Sequence, residues 1–401
     1  MSETHTQPAD PAAAASLAAE LADAAFVRID AHADGDSLAA AGLLAVALGE
    51  RNVPFQVHVS SDPAGDLPET TADDSLRLAI TTGQRGTADE TVPSAGDSRP
   101  ASVVAAAVSR ELGVEPDPLL ALAGVIASGS LPGADGSGAL LEAAEQAGLF
   151  KRRPGIAVPT VHVADGLAHS TLIDAPFSGD REATEAVLDE LGIAAESTDL
   201  DEDTRTQVAS RVAVDVSTAE TATPAAADHV ETALRPYATP RGPFETLGGY
   251  ADVLSVLACE QPGLAVSLAL GAELSDDTLD VWRDHATDAH DALKSATTGR
   301  YEGVVVLRVD TDRPAVLPTV GRLADRFRSP EPVTFVVNSP TEGQRHAALA
   351  AGEPAGLAAV ATQVATEFGG TAGGTPTAAR CSVDSEVSDS DLIAAVREAL
   401  G

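Results

Sequence analysis

Apolar residues along the chain fall into two patterns. Short continuous runs, Phe26-Val-Arg-Ile29, Phe55-Gln-Val-His-Val59, Leu76-Arg-Leu-Ala-Ile80, Gly303–Val309 and Val333–Val337, read as buried strands. Longer stretches repeat Ala, Leu and Val every three or four positions and read as helices. They lie at 16–25, 38–49, 101–113, 117–128, 137–148, across much of 181–235 and 240–300, and at 315–328, 355–367 and 390–400. Leu38–Gly49 has Ser37 before it as a candidate N-cap. Strand, polar turn, helix and strand over 26–59 make a βαβ unit, which implies a parallel sheet. Gly/Ser/Asp/Pro-rich residues 84–100 read as a loop, as does Gly369–Thr377 ahead of a strand at Arg380–Val383.

This order of elements predicts an α/β protein of two domains, a doubly covered parallel sheet followed by a smaller C-terminal α/β domain. The expected divisions are a disordered lead and first helix over 1–21, a first domain over 22–215, a linker or connector over 216–239 and a helical connector with the second domain over 240–401. Residues 1–14 read as the disordered part. The linker is placed on the Thr/Ala/Pro-rich stretch Ser217–Asp228.

Charge narrows the function classes. The 401 residues carry 61 acidic and 25 basic side chains, a net charge of −36, and only two of the basic residues are lysines. Such a chain is no globally basic nucleic-acid binder. Two cysteines, Cys259 and Cys381, exclude a disulfide scaffold and read as buried small apolar residues. The acidic residues are spread along the chain, and their mutual repulsion is screened at molar salt, where the Debye length is about 3 Å. The charge therefore reads as adaptation to a salt-rich cytoplasm; the competing reading is an acidic surface made for a basic partner. No start of the signal-peptide type and no long apolar span is seen, so a cytoplasmic location is expected.

The candidate chemistry begins at Asp30-Ala-His-Ala-Asp-Gly-Asp-Ser37, just past the first strand, where open α/β sheets bind ligands. Asp30, His32, Asp34 and Asp36 alternate there and could hold Mg²⁺ or Mn²⁺. The same residues could simply form a solvated turn that caps the next helix. His162 and His169, flanking Asp165, could add imidazoles, and equally read as surface or strand histidines. Lys151-Arg-Arg153 and Arg322, Arg326 and Arg328 are the basic clusters; contacts of that kind weaken with salt, and solvated charges are the plainer reading.

Val27–Leu44 resembles the first motif of the DHH phosphoesterase superfamily, which includes the RecJ single-strand exonucleases and the nanoRNases; the archaeal RecJ-like proteins are the most similar form. Against the RecJ pattern the ligand positions fall on Asp30, His32 and Asp34; against the nanoRNase pattern, on Asp30, Asp34 and Asp36. Arg241–Leu254 resembles a connecting segment of archaeal RecJ-like chains. Gly373-Gly-Thr-Pro-Thr-Ala-Ala-Arg380 resembles the glycine loop of the DHH-associated domain. That loop resemblance makes Gly373, Gly374, Thr377 and Arg380 candidates for a phosphate of a nucleic acid.

The resemblance also implies what is missing. Its second-motif carboxylate falls on Thr81, no histidine follows within 84–105 to supply the Asp-His-His motif, Ser128 stands where a helix should end in Asp, and Thr375 replaces the loop histidine. A two-metal phosphodiesterase holds its cations about 4 Å apart with several anionic or imidazole ligands. The expectation is a catalytically degenerate member with no required cofactor, whose remnant turn binds at most one Mg²⁺ or Mn²⁺ weakly. Related degenerate proteins accompany the replicative helicase and its GINS complex, which implies a DNA replication or repair scaffold with a GINS-type partner and weak contact with single-stranded nucleic acid. The alternative is a Mn²⁺- or Mg²⁺-dependent single-strand exonuclease or phosphoesterase with a rebuilt site. A nucleotide sensor is a third reading.

Overall fold

A computed structural model describes residues 11–60, 75–81, 90–93, 99–339 and 343–401. Of the expected lead over 1–14 and the expected loop over 84–100, residues 1–10, 84–89 and 94–98 lie outside them, and 90–93 of that loop are a strand, because their backbone pairs with Leu78–Thr81. The chain forms two compact units, each discontinuous in sequence. The first comprises Met1–Lys151, Thr239–Pro243 and Val253–Thr278; the second comprises Arg152–Ala238, Phe244–Asp252 and Leu279–Gly401.

The first unit is built on β1 (Phe26–His32). α1 (Pro11–Asp23) precedes it, and α2 (Gly35–Glu50), β2 (Phe55–Ser60), β3 (Ser75–Thr81) and β4 (Glu90–Pro93) follow. The four strands are parallel in the order β2-β1-β3-β4. β1 lies inside the sheet, with Ile29 opposite Val57 on one side and Leu78 on the other. Val27, Ile29 and Ala31 are fully buried, as in a parallel sheet covered on both faces. α3 (Ala101–Glu111), α4 (Pro118–Ala127) and α5 (Gly138–Gln146) complete the N-terminal part. α2 is buried around its whole circumference, which explains a sequence of Ala, Leu and Gly with little amphipathic contrast.

The second unit begins with β5 (Lys151–Arg152), α6 (Val163–His169), α7 (Arg181–Glu190), α8 (Glu202–Ser217), α9 (Ala225–Ala233) and β6 (Tyr237–Ala238). α10 (Leu247–Glu260), α11 (Pro262–Ala269) and α12 (Asp276–Ser295) follow; the boundary between the units runs through α10 and α12, and α11 belongs to the first. A six-stranded sheet then forms from β7 (Thr297–Tyr301), β8 (Val304–Val309), β9 (Val333–Asn338), β10 (Gln344–Ala350), β11 (Thr371–Gly374) and β12 (Ala378–Asp384), with α13 (Leu317–Phe327), α14 (Leu357–Phe368) and α15 (Asp389–Leu400) between and after them. Its order is β11-β12-β10-β9-β8-β7, and only the β8–β9 pair is parallel. Alternate side chains of β8 serve two cores: Val305, Leu307 and Val309 pack with α13, and Val304 and Val306 with α14 and α15.

The α/β class with a parallel first sheet and a separate C-terminal sheet domain agrees with the sequence reading. Several particulars differ. Residues 11–14, read as part of a disordered lead, begin α1, with Pro11 at the first helical position, where its missing N–H costs nothing. Ser217–Asp228 is no loose linker: α9 starts at Ala225, and Ala226, Val230 and Ala233 sit in the second unit's core. Residues 152–238 therefore pack with the C-terminal sheet. Part of Gly369–Thr377 is strand β11, because its backbone pairs with β12. β10 was not expected; Gln-Arg-His-Ala-Ala-Leu-Ala favours helix, and pairing with β9 and β12 overrides that preference.

Gly249 shows how closely the second unit packs. A Cβ there would come within 2.2 Å of the Val158 carbonyl carbon and 2.3 Å of the Pro159 nitrogen, both backbone atoms. Gly249→Ala is expected to lower unfolding stability by about 1–3 kcal/mol or more. Denaturant unfolding in molar KCl, followed by the fluorescence of Trp282, measures the loss.

Candidate functional site

The four alternating residues do not share one turn: β1 runs on to His32, so Asp30 and His32 lie in the strand, Asp34 caps α2 and Asp36 lies in its first turn, and each is already engaged. Asp30 is fully buried within the sheet. Its carboxylate accepts from Arg77 Nε of β3 at 2.6 Å and from Arg28 Nε of β1 at 3.2 Å, and His58 Nδ1 of β2 lies at 3.5 Å. The register explains the group. Arg28 stands directly opposite Arg77, and Asp30 opposite His58. Two guanidinium groups facing each other across strands repel; Asp30, two residues on and on the same face, accepts from both and offsets that repulsion.

At the end of the strand, His32 Nδ1 lies 2.8 Å from Asp34 Oδ2. Asp34, and not Ser37, is the N-cap of α2: its carboxylate accepts from Ser37 N and Ser37 Oγ, both at 2.8 Å. Burial works against its ionisation, yet the bond and charge of His32 and the two Ser37 bonds hold its carboxyl below the ordinary value. Asp36 turns to α3. It accepts from Ala101 N at 2.6 Å, from Ser102 N at 3.0 Å and from Ser102 Oγ at 2.6 Å. The cap position of that helix is Pro100, which offers no side-chain bond, so Asp36 does the capping from another element. Burial and the neighbouring Asp34 charge push its carboxyl up to about 7 against those bonds.

The other positions singled out in the sequence are scattered. Ser128 closes α4 and donates to the Val125 carbonyl at 2.7 Å. Thr81 ends β3, and the turn after it is outside the described residues. Thr375 stabilises its own turn, its hydroxyl accepting from Thr377 N and Ala378 N at 3.1 and 2.8 Å. The carbonyls of Thr375 and Pro376 accept from the first N–H groups of α14. Gly373 pairs with Arg380 and Gly374 with Ala379 between β11 and β12. A Cβ on Gly374 would fall 2.4 Å from Ala379 Cα, so the strand pairing itself requires glycine there.

His162, Asp165 and His169 belong to the second unit. His162 is exposed at the start of α6, whereas His169 is buried at its end. Asp165 accepts from Arg283 Nε and Nη2 at 2.9 and 2.8 Å and lies 3.1 Å from His169 Nδ1. Burial opposes its charge, but His169 and Arg283 hold its carboxyl well below the usual range. Of the basic clusters, Arg152 stacks on the Tyr237 ring at 4.3 Å, Arg153 pairs with Glu245 and Arg328 forks onto Asp174 at 2.6 and 2.9 Å. Cys381 is buried and its thiol is pushed up to about 12 by that burial; Cys259, read as buried, is half-buried and donates to the Ala33 carbonyl at 3.4 Å. Among the described residues no three His, Cys, Asp or Glu side chains gather as a metal site.

A family model described as "Uncharacterized protein rrnAC1427, C-terminal domain" matches residues 296–398. Protein rrnAC1427 of Haloarcula marismortui is 47% identical over 403 residues, covering all of both chains. The chain belongs to the rrnAC1427 family. Its structure is similar to that of CDC45 from Entamoeba histolytica, with a TM-score of 0.57 at 9% identity over 98% of this chain and 100% of that one. A structure of exonuclease RecJ bound to manganese gives 0.49 at 15% identity over 98% and 94%. The whole-chain likeness to CDC45 shows a shared two-domain fold.

Within the rrnAC1427 family fold, sequence reasoning missed the partners of Asp30. The signal was present as Arg28-x-Asp30-x-His32, charged residues repeating at the strand period inside an apolar run. Breaking a buried ion pair leaves the surviving charge uncompensated. Asp30→Asn is therefore expected to cost about 3–5 kcal/mol of unfolding stability, equally with EDTA and with Mn²⁺. A residue kept for metal binding would instead show a loss that depends on the metal.

Proposed function

We propose that this protein is a catalytically degenerate RecJ-like DHH-family member that serves as a non-catalytic scaffold in DNA replication or repair. The observation that carries the reading is the engagement of the turn's carboxylates. Asp30 is bound to two guanidinium groups, Asp34 caps α2 and Asp36 caps α3. A pair of divalent cations needs a cluster of anionic or imidazole donors. This donor set does not fit such a pair, and Arg77 brings a positive charge to within 2.6 Å of the carboxylate at its head. Ser128 and Thr375, bound to their own backbone, supply no substitute.

CDC45 has the fold of this chain, and that likeness supports a replication-machinery context. On this reading the partners are replication or repair proteins such as a GINS-type complex, and no cofactor is required. The net charge of −36 and a relative from Haloarcula marismortui support work in a salt-rich cytoplasm. Among the described residues no helix is long and apolar enough to cross a membrane.

A second reading rests on His32. Asp34 holds its Nδ1, and its buried Nε2 has no hydrogen-bond partner among the described residues. A carboxylate on one ring nitrogen is the usual support for a metal on the other. That feature favours one weakly bound Mg²⁺ or Mn²⁺, and with it a Mn²⁺- or Mg²⁺-dependent exonuclease or phosphoesterase.

End-labelled single-stranded DNA and RNA in molar KCl with Mn²⁺ or Mg²⁺ separate the two. The scaffold reading predicts no hydrolysis beyond that of an Asp34→Ala/Asp36→Ala variant, and co-elution with a purified GINS-type complex from the same organism. Degradation by the wild type that the double variant lacks would overturn it.

A further inference from the structure

The six-stranded sheet ends in two edges, β11 and β7. An open edge presents a row of unpaired N–H and C=O groups, which proteins blunt by shortness, proline, bulges or charge. β11 is blunt by that measure, with four residues, two of them glycine. β7 is Thr-Thr-Gly-Arg-Tyr, with no proline. Its register with β8 runs unbroken from Thr297 opposite Arg308 to Tyr301 opposite Val304, so it has no bulge. Its one charge, Arg300, is turned to Glu331 of the same chain at 2.6 Å. The strand contains no carboxylate, in a chain with 61 acidic residues.

The turn decides which groups face outward. Only Glu302 and Gly303 separate Tyr301 from Val304, and a two-residue turn closes on a pair that exchanges both main-chain hydrogen bonds. Pairs alternate from there, so Tyr301, Gly299 and Thr297 bond to β8, while the N–H and C=O of Thr298 and Arg300 point away from the sheet. Among the described residues nothing bonds to those groups, and both residues are exposed.

We propose that β7 pairs with β7 of a second copy of this chain, antiparallel about a twofold axis at Gly299, joining the two sheets edge to edge. The strand is self-complementary in this register. Thr298 of each copy stands opposite Arg300 of the other, and the outward N–H and C=O groups of the two residues satisfy each other. Gly299 meets its own copy in a non-hydrogen-bonded pair, where Cα atoms approach to about 4.5 Å. The missing side chain leaves room for the Tyr301 rings, each lying over the glycine of its own strand: a Cβ on Gly299 would be 3.4 Å from that ring. Charge fits as well. Lys294, in the last turn of α12, precedes the strand and Glu302 follows it, so antiparallel pairing brings the lysine end of each copy to the glutamate end of the other. Hydrogen bonds between neutral main-chain groups persist in molar salt, where the repulsion between two chains of charge −36 is screened. The assignment is independent of the scaffold reading and uses none of residues 30–36.

The test uses the full chain in molar KCl. Sedimentation velocity over a concentration series is expected to show a reversible equilibrium between monomer and dimer. Thr298→Pro removes an outward N–H and no bond to β8; it is expected to weaken self-association about tenfold or more and to melt near the wild-type temperature. Gly299→Cys, in a Cys259→Ala background, is expected to give a disulfide-linked dimer on mild oxidation, because a facing pair at that spacing is within disulfide reach. Thr297→Cys in the same background stands opposite Tyr301 in this register and is expected to cross-link about tenfold more slowly or not at all. Should Thr298→Pro fail to fold, the comparison of the two cysteine variants decides alone. A monomer at every concentration would leave the edge to a different strand and overturn the proposal, as would a dimer that Thr298→Pro leaves intact or cross-linking as fast at 297 as at 299.

Discussion

The first sheet depends on one buried carboxylate. Asp30 sits inside a parallel sheet, where an isolated charge is far too costly to persist. Arg77 and Arg28 make it tolerable, and it makes them tolerable in turn: the register sets the two guanidinium groups opposite each other, and only an anion between them removes the repulsion. The two residues that follow at the same spacing extend this logic. Asp34 and Asp36 take up N–H groups at the starts of α2 and α3, which carry partial positive charge. A strand end and turn whose spacing suits metal ligands therefore tie β1 to its neighbouring strands through Asp30 and fasten two helix starts through Asp34 and Asp36.

Much of the fold was legible because burial leaves period and composition as traces. β1, β8 and β9 are continuous apolar runs, and α3, α4 and α15 follow the helical repeat, so all were placed nearly as they stand. The parallel order followed from the βαβ sequence over 26–59. β10 was not legible, because its Ala and Leu residues favour helix and only its neighbours make it a strand. α9 hid in a Thr/Ala/Pro-rich stretch whose small residues look like a linker and in fact allow close packing. The discontinuity of the two units left no local trace at all.

The candidate site was legible in position and not in chemistry. Spacing located Asp30, His32, Asp34 and Asp36 at a strand end, but a carboxylate that binds a metal and one that caps a helix have the same sequence. What separates them is the partner, and Ala101, Ser102 and Arg77 are 47 to 66 residues away along the chain. The same holds for Asp165, whose spacing with two histidines suggested a ligand and whose partner Arg283 lies 118 residues on.

Asp30 acts through Arg77 to hold the sheet. A double-mutant cycle on Asp30→Asn and Arg77→Gln, read by denaturant unfolding in molar KCl with EDTA, measures that interaction alone. A coupling of about 2–3 kcal/mol is expected, with the double variant well above the stability given by adding the two single losses. A coupling near zero, with Asp30→Asn as stable as the wild type, would contradict it and return Asp30 to the role of a ligand.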